Sequence, residues 1–226
     1  MPNDEAGSDR LKALLEKLDP AVVQRVMPLT GGVITMMFTD IVGSTKIKAE
    51  VGDERYFSRI LTPHNQLVRE CVARHNGREL KMMGDAFLVG FTVPSEAVVC
   101  VCEIQQRLTT SPVPAGQSAL QVRIGLHTGT PIVYRDPVSG LVDLSGTDVD
   151  KAARVQPLAG GGQVLISEET RVLAKPQMVH DWGPWDLKGL GRHRIFEVLL
   201  ARQGAGATVG SPVADCRALS HKLHWA

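Results

Sequence analysis

The chain has 226 residues, of which 43% are hydrophobic, 22% charged and only 4% aromatic. These values lie near the averages for globular domains and exclude wholesale disorder, collagen and a coiled coil. With 25 Lys and Arg against 24 Asp and Glu, the formal charge is +1. That balance argues against a nucleic acid polymer or an anionic membrane surface held by bulk charge.

Residues 1–31 open with a polar, acidic stretch that has no apolar signal core. Leu11, Leu14, Leu15 and Leu18 then fall at i, i+3, i+4 and i+7, the stripe of a short amphipathic helix that Asp19-Pro20 ends. So short a stripe needs a surface to lie on, either its own domain or a second chain. From Val33 to Ile41 the sequence VITMMFTDI has the composition of a buried strand ending in an acid. Gly43-Ser44-Thr45 turns the chain into a mostly helical stretch over 46–76, with Pro63 marking a break or a new start. Glu79–Met83 and Ala86–Phe91 read as strands joined by Gly84-Asp85, a tight hairpin.

A helix is expected over Pro94–Leu108, with strands at Gln121–His127 and Thr130–Tyr134. Asp136–Gly140 reads as a loop and Val142–Leu144 as one more strand. Gly146–Leu158 is helical with Ala152, Ala153 and Val155 inward. Val164–Ile166 is a strand, and Ser167–Leu173 a capped short helix. The last strands fall at Trp185–Lys188 and Arg194–Leu200, with Trp182 and Trp185 flanking a Gly-Pro turn. The longest apolar run, AVVCVC at 97–102, is too short to span a bilayer. Four cysteines without metal-finger spacing fit a cytoplasmic protein. The order β-α-β-β-α-β, with further α/β elements appended, predicts an α+β, ferredoxin-like sheet over residues 32–200, and 201–226 reads as a flexible tail.

Two carboxylates stand out. Asp40 closes the first strand and Asp85 sits at the hairpin tip. The first and third strands of a ferredoxin-like sheet are neighbours, so both acids are expected at one end of it. Converging acids repel unless a cation lies between them, and oxygen-only ligands suit Mg²⁺ or Mn²⁺. Taken singly, Asp40 also fits a helix cap and Asp85 a turn residue. The strand end, glycine turn and helix start at Asp40–Thr45 offer free backbone N–H groups to a phosphate, although this is not a Walker sequence.

Four motifs in register, FTDIVGST (38–45), KMMGDAF (81–87), VRIGLHTG (122–129) and VDKAAR (149–154), resemble the class III nucleotidyl cyclase catalytic domain, and the first resembles its bacterial branch. The resemblance implies that Asp40 and Asp85 bind two metal ions, Mg²⁺ or Mn²⁺, with the Ile41 carbonyl as a further ligand. It implies that Lys81 and Asp143 read the adenine of ATP, and that Arg154 meets the transferring phosphate. Arg123 and Lys188 match positions that hold the β- and γ-phosphates, and Gly43, Ser44 and Thr45 belong to the phosphate-facing turn. It also implies a head-to-tail homodimer whose active sites lie in the interface, with metal residues from one chain and base-reading residues from the other.

The function so implied is an adenylate cyclase. A guanylate or pyrimidine-nucleotide cyclase, or a weakly active or inactive nucleotide-binding dimerisation module, is the alternative. The main departure is Asp150, where the family usually has an asparagine that orients the ribose. Its i, i+4 spacing from Arg154 predicts an ion pair. Ser145 stands where the family often has an aromatic residue, and His127 reads as structural.

Overall fold

A computed structural model of the chain describes residues 32–137 and 140–200. Strand β1 (Ile34–Ile41) is buried along nearly its whole length, as its apolar sequence requires. Helix α1 (Ser44–Val51) follows, then a short helical turn (Asp53–Arg55), a π-helical segment (Tyr56–Leu61) and α2 (Thr62–Arg74). The expected new start at Pro63 is found: the proline sits in the first turn of α2, where the π-helical segment gives way to α-helix without a gap in the helical path. The wide turn before it, closed by the Thr62 N–H on the Phe57 carbonyl, absorbs the residue that cannot donate.

The hairpin of β2 (Arg78–Met83) and β3 (Ala86–Phe91) leads to α3 (Pro94–Thr110). Only Gly84 in the hairpin tip takes a positive φ, +68°, so Asp85 is presented without backbone strain. A small ribbon of β4 (Pro114–Ala115) and β5 (Ser118–Ala119) precedes β6 (Val122–Gly129). A second ribbon, β7 (Ile132–Arg135) with β8 (Val142–Ser145), leads into α4 (Thr147–Val155) and a 3₁₀ turn at Gln156–Leu158. Then come β9 (Val164–Ser167), α5 (Glu168–Ala174), β10 (Val179–Leu187) and β11 (Gly191–Val198). Ser167 caps α5 by accepting the Thr170 N–H.

Seven strands form one sheet in the order β10-β11-β9-β6-β1-β3-β2, antiparallel throughout except for β6 beside β9. The segment β6-β1-β3-β2 is the expected ferredoxin-like core. One face packs on α2 and α3 around Met37, Ile41, Val68, Val101 and Ile104. The opposite face meets α4 through Met36, Phe38, Leu88, Leu144 and Ala152.

Trp182 and Trp185 do not flank a turn. Gly183-Pro184 lies inside β10 at a register shift, where the proline's missing N–H is tolerated in an edge strand, and the final hairpin is longer than its sequence suggests. The amphipathic stripe of Leu11–Leu18 and the tail after residue 200 lie outside the described residues. No helix among the described residues is long and apolar enough to cross a membrane.

Candidate active site

Strand register sets the ends of the sheet. Asp40 pairs with Arg123, Thr39 with Phe87, and Met83 with Ala86, so Asp40, Arg123 and the Asp85 turn share one end. Arg123 donates from Nε to Asp40 Oδ2 at 2.8 Å, and its Nη2 closes on the same oxygen. A guanidinium therefore already stands against the first of the two acids, in a half-buried place that stabilises positive charge. Asp85 accepts a hydrogen bond from the Tyr56 hydroxyl at 3.4 Å. After Ile41 the chain enters α1 through Gly43 at φ 70°. No side chain caps that helix, leaving its first-turn amides open to a phosphate oxygen.

A second group lies on the α4 side. Lys81 Nζ donates to Asp143 Oδ2 at 2.8 Å, joining β2 to the β7–β8 ribbon across 62 residues of sequence. Asp150 and Arg154 are exposed on the outer side of α4. The expected ion pair between them is not formed, and neither side chain has a partner among the described residues. One helical turn separates their origins, but long side chains on a solvent-facing surface gain little by meeting. Lys188, just after β10, is exposed at the opposite end of the sheet from Asp40, because Leu187 pairs with Gly191 where Ile34 pairs with Gly129. Within one chain, then, Asp40, Asp85 and Arg123 gather at one end, Lys81 joins Asp143, and Lys188 sits apart from Arg123.

A family profile for the adenylate and guanylate cyclase catalytic domain matches residues 28–201. The chain belongs to this family. The adenylate cyclase of Lachancea kluyveri is 32% identical over 174 residues, covering 69% of this chain and 9% of that protein. The chain spans between 6% and 9% of the length of the four fungal adenylate cyclases it matches. Among solved structures, an adenylate cyclase from Trypanosoma brucei in its monomeric state superposes with a TM-score of 0.62 at 25% identity, covering 74% of this chain and 90% of that one. The guanylate cyclase domain of RhGC from Catenaria anguillulae, in complex with GTP, gives 0.67 at 22% identity over 76% and 98%. That second likeness is one of fold.

The donor set of this cyclase domain fits a hard divalent cation. Asp40 and Asp85 offer carboxylate oxygens at one sheet end, and Asp40 already faces a cationic group; among the described residues no three His, Cys, Asp or Glu side chains are placed to hold a metal ion by themselves. Two protein carboxylates leave the remaining coordination positions to water and phosphate, which is how Mg²⁺ is usually held.

Sequence reasoning missed Tyr56, which lay unmarked inside a helical stretch. Its ring is buried in the main core and its hydroxyl reaches Asp85. Burial, reinforced by the Asp85 charge, pushes the phenol up to about 12, so it remains a hydrogen-bond donor to the carboxylate. The one available signal was that this is one of two tyrosines in the sequence.

Proposed function

We propose that this domain is an adenylate cyclase that converts ATP to 3′,5′-cyclic AMP and pyrophosphate, at sites shared across a homodimer. The observation that carries the choice of base is the contact of Lys81 with Asp143 at 2.8 Å. A donor and an acceptor held side by side match the edge of adenine, which accepts at N1 and donates at N6. Guanine presents the reverse pattern, and a mismatched buried hydrogen bond costs about 1–3 kcal/mol, enough for roughly tenfold to hundredfold selectivity.

In the reaction the ribose 3′-oxygen loses its proton and bonds to the α-phosphorus, while the bond from that phosphorus to the bridging oxygen of the β-phosphate breaks. Asp40 and Asp85, with the Ile41 carbonyl, would hold Mg²⁺ or Mn²⁺, two ions per site. The metal supplies Lewis-acid activation of the hydroxyl and charge compensation for the triphosphate. Arg123 lies beside Asp40, so a triphosphate arriving there offers its guanidinium better-matched oxygens. Gly43, Ser44 and Thr45 present open amides to the same phosphates. Arg154 meets the charge that redistributes on the α-phosphate as the bond forms, and Lys188 holds the β- and γ-phosphates from the other side.

Two features of the geometry support a shared site. Arg154 has no partner among the described residues of its own chain, and Lys188 lies at the far end of the sheet from Asp40. A head-to-tail dimer brings the second set to the first set of the partner, giving two equivalent sites. Asp150 favours a second reading, a domain that binds nucleotide and turns over slowly, because an unpaired carboxylate near the triphosphate opposes its binding.

The deciding experiment incubates the purified protein with each of the four nucleoside triphosphates and Mg²⁺ or Mn²⁺ and identifies products by mass. Cyclic AMP as the dominant product is expected. Cyclic GMP or a cyclic pyrimidine nucleotide as the dominant product would overturn the base assignment. Binding without turnover would favour the second reading.

A further inference from the structure

Helix α4, which carries Asp150 and Arg154 on its outer side, is held from beneath by a polar latch. Gly125, His127 and Gly129 alternate along β6 and face this helix. A Cβ at Gly125 would lie 2.4 Å from the backbone nitrogen of Gln156, and one at Gly129 would lie 2.3 Å from the carboxyl carbon of Asp148. Gly125 thus lets the strand lie against the backbone at the C-terminal end of α4, and Gly129 leaves room for the Asp148 carboxylate at its N-terminal end. Between them His127 is buried, 1% exposed. Its Nε2 meets Asp148 Oδ1 at 3.1 Å and its Nδ1 meets Ser167 Oγ at 2.8 Å.

Burial lowers the pKa of this imidazole below its usual value. Nε2 faces the Asp148 carboxylate, which can only accept, while Nδ1 faces the Ser167 hydroxyl with Glu169 Oε2 3.6 Å away. The second oxygen of Asp148 accepts the Thr130 N–H at 2.7 Å. One turn on, the buried Lys151 donates to Glu169 Oε1 on α5 at 2.6 Å.

Ala152 and Val155, with Val149 and Ala153 partly buried beside them, pack the helix through small non-directional contacts, to which the latch adds directional ones. Buried charges are a costly means of adding stability, and their best-attested use is to fix a register. Rotation by one residue turns an α-helix by about 100°, which would swing Arg154 away from any phosphate it addresses.

We propose that His127 and Asp148 are positioning residues that seat α4 on the sheet and thereby aim Arg154 at the reacting nucleotide. The inference rests on the cyclase reading above. Neither residue touches substrate; each acts through the helix. Misplacing a reacting or stabilising group by about 1 Å is enough to cost roughly a hundredfold in rate.

The test uses Asp148→Ala, Gly129→Ala and the double variant, each assayed for steady-state cyclic AMP formation and for amide hydrogen exchange over residues 147–155. Either single change is expected to lower kcat about tenfold to a hundredfold while KM for ATP stays within about threefold. Exchange in α4 is expected to accelerate about tenfold or more while β1 and β3 keep their protection. Gly129→Ala leaves Asp148 in the chain but puts a methyl where its carboxyl lies, so a loss there reports displacement of the carboxylate from its seat rather than its removal. In the double variant the added methyl no longer meets a carboxylate, and its activity should equal that of Asp148→Ala alone.

Losses that simply add, a kcat unchanged in both single variants, or a rise in exchange spread evenly over the sheet would each overturn the proposal. If the wild type forms no cyclic nucleotide from any of the four triphosphates, the cyclase reading fails. The exchange data then decide the latch alone: faster exchange confined to α4 supports it, and unchanged exchange sinks it.

Discussion

The Asp40 end of the sheet and the outer side of α4 are finished in opposite ways. At the first, both acids have a partner in their own chain: Asp40 faces Arg123, and Asp85 accepts from Tyr56. On the second, Asp150 and Arg154 stand one turn apart with no partner among the described residues, although the inner side of the same helix is fully latched through Asp148 and Lys151. The contrast separates two kinds of preparation. The acidic end carries an internal cation, Arg123 against Asp40, so its geometry is held within the chain; on the proposed reading a metal and a triphosphate would displace that contact. The α4 side holds its charges open; on the proposed reading a nucleotide or second chain would supply the opposite charge. Lys81 and Asp143 lie between these extremes: they satisfy each other within the chain, and on the proposed reading a base with the same donor and acceptor pattern would come between them.

The largest effect should come from removing the acids. Asp40→Ala or Asp85→Ala is expected to lower cyclic AMP formation by about a hundredfold or more, because the cation loses half of its protein carboxylates. The fold, read by circular dichroism, and the dimer, read by sedimentation, should survive. Turnover above about a tenth of wild type would show that these carboxylates do not carry the metal.

Mixing separately inactive Asp40→Ala and Lys81→Ala chains then sharpens the comparison. Random exchange makes about half the dimers mixed, each with one intact site, so activity should return to about a quarter of wild type. A mixture that stays dead after demonstrated subunit exchange would place both residue groups in one chain's site.

Arg123→Ala probes the internal cation more gently and should move two observables in opposite directions. Without nucleotide, Mn²⁺ measured by calorimetry should bind several-fold more tightly, because Asp40 no longer has a competing guanidinium. With ATP, kcat/KM should fall about tenfold, because the same guanidinium has left the phosphates. Weaker Mn²⁺ binding in the variant would mean that Arg123 organises Asp40 for the metal.

Much of this contrast was legible in the sequence, but unevenly. The hairpin tip and the strand end gave away Asp85 and Asp40, because a two-residue turn and a buried apolar strand leave little freedom in where the next side chain goes. The sheet order followed from the alternation of elements. Lys81 and Asp143 meet although 62 residues separate them, and only the family resemblance paired them in advance. What the sequence hid are contacts made by tertiary packing. Tyr56 reaches Asp85 because a π-helical segment turns it inward, which the 3.6-residue pattern does not encode. Nothing in the sequence marked Asp148 or Lys151; their contacts arise only from β6 and α5 packed beneath the helix. The Asp150–Arg154 pair failed for the converse reason: spacing permits a contact that solvent leaves unrewarded.

Asp150 carries the smallest predicted effect and the sharpest test of the open side. Its carboxylate is exposed one turn from Arg154 and makes no bond to it, so it does not block the guanidinium directly. On the proposed reading it contributes a negative charge near the place where a triphosphate would lie. At a surface-like effective dielectric, a like charge several Å away raises the energy of a bound polyanion by about 1 kcal/mol or more, less with salt. Asp150→Asn keeps the shape and removes that charge. It should therefore raise kcat with ATP several-fold, where tenfold corresponds to about 1.4 kcal/mol. The gain should be larger under Mg²⁺ if Mn²⁺ already compensates in the wild type, and it should shrink as ionic strength rises, since the interaction is solvent-exposed. The comparison needs steady-state cyclic AMP formation by both proteins under both metals, at matched dimer concentration. A substantial fall in kcat would show that the carboxylate itself takes part, as a base, a metal ligand or a ribose acceptor, and that the open side of α4 is acidic by use.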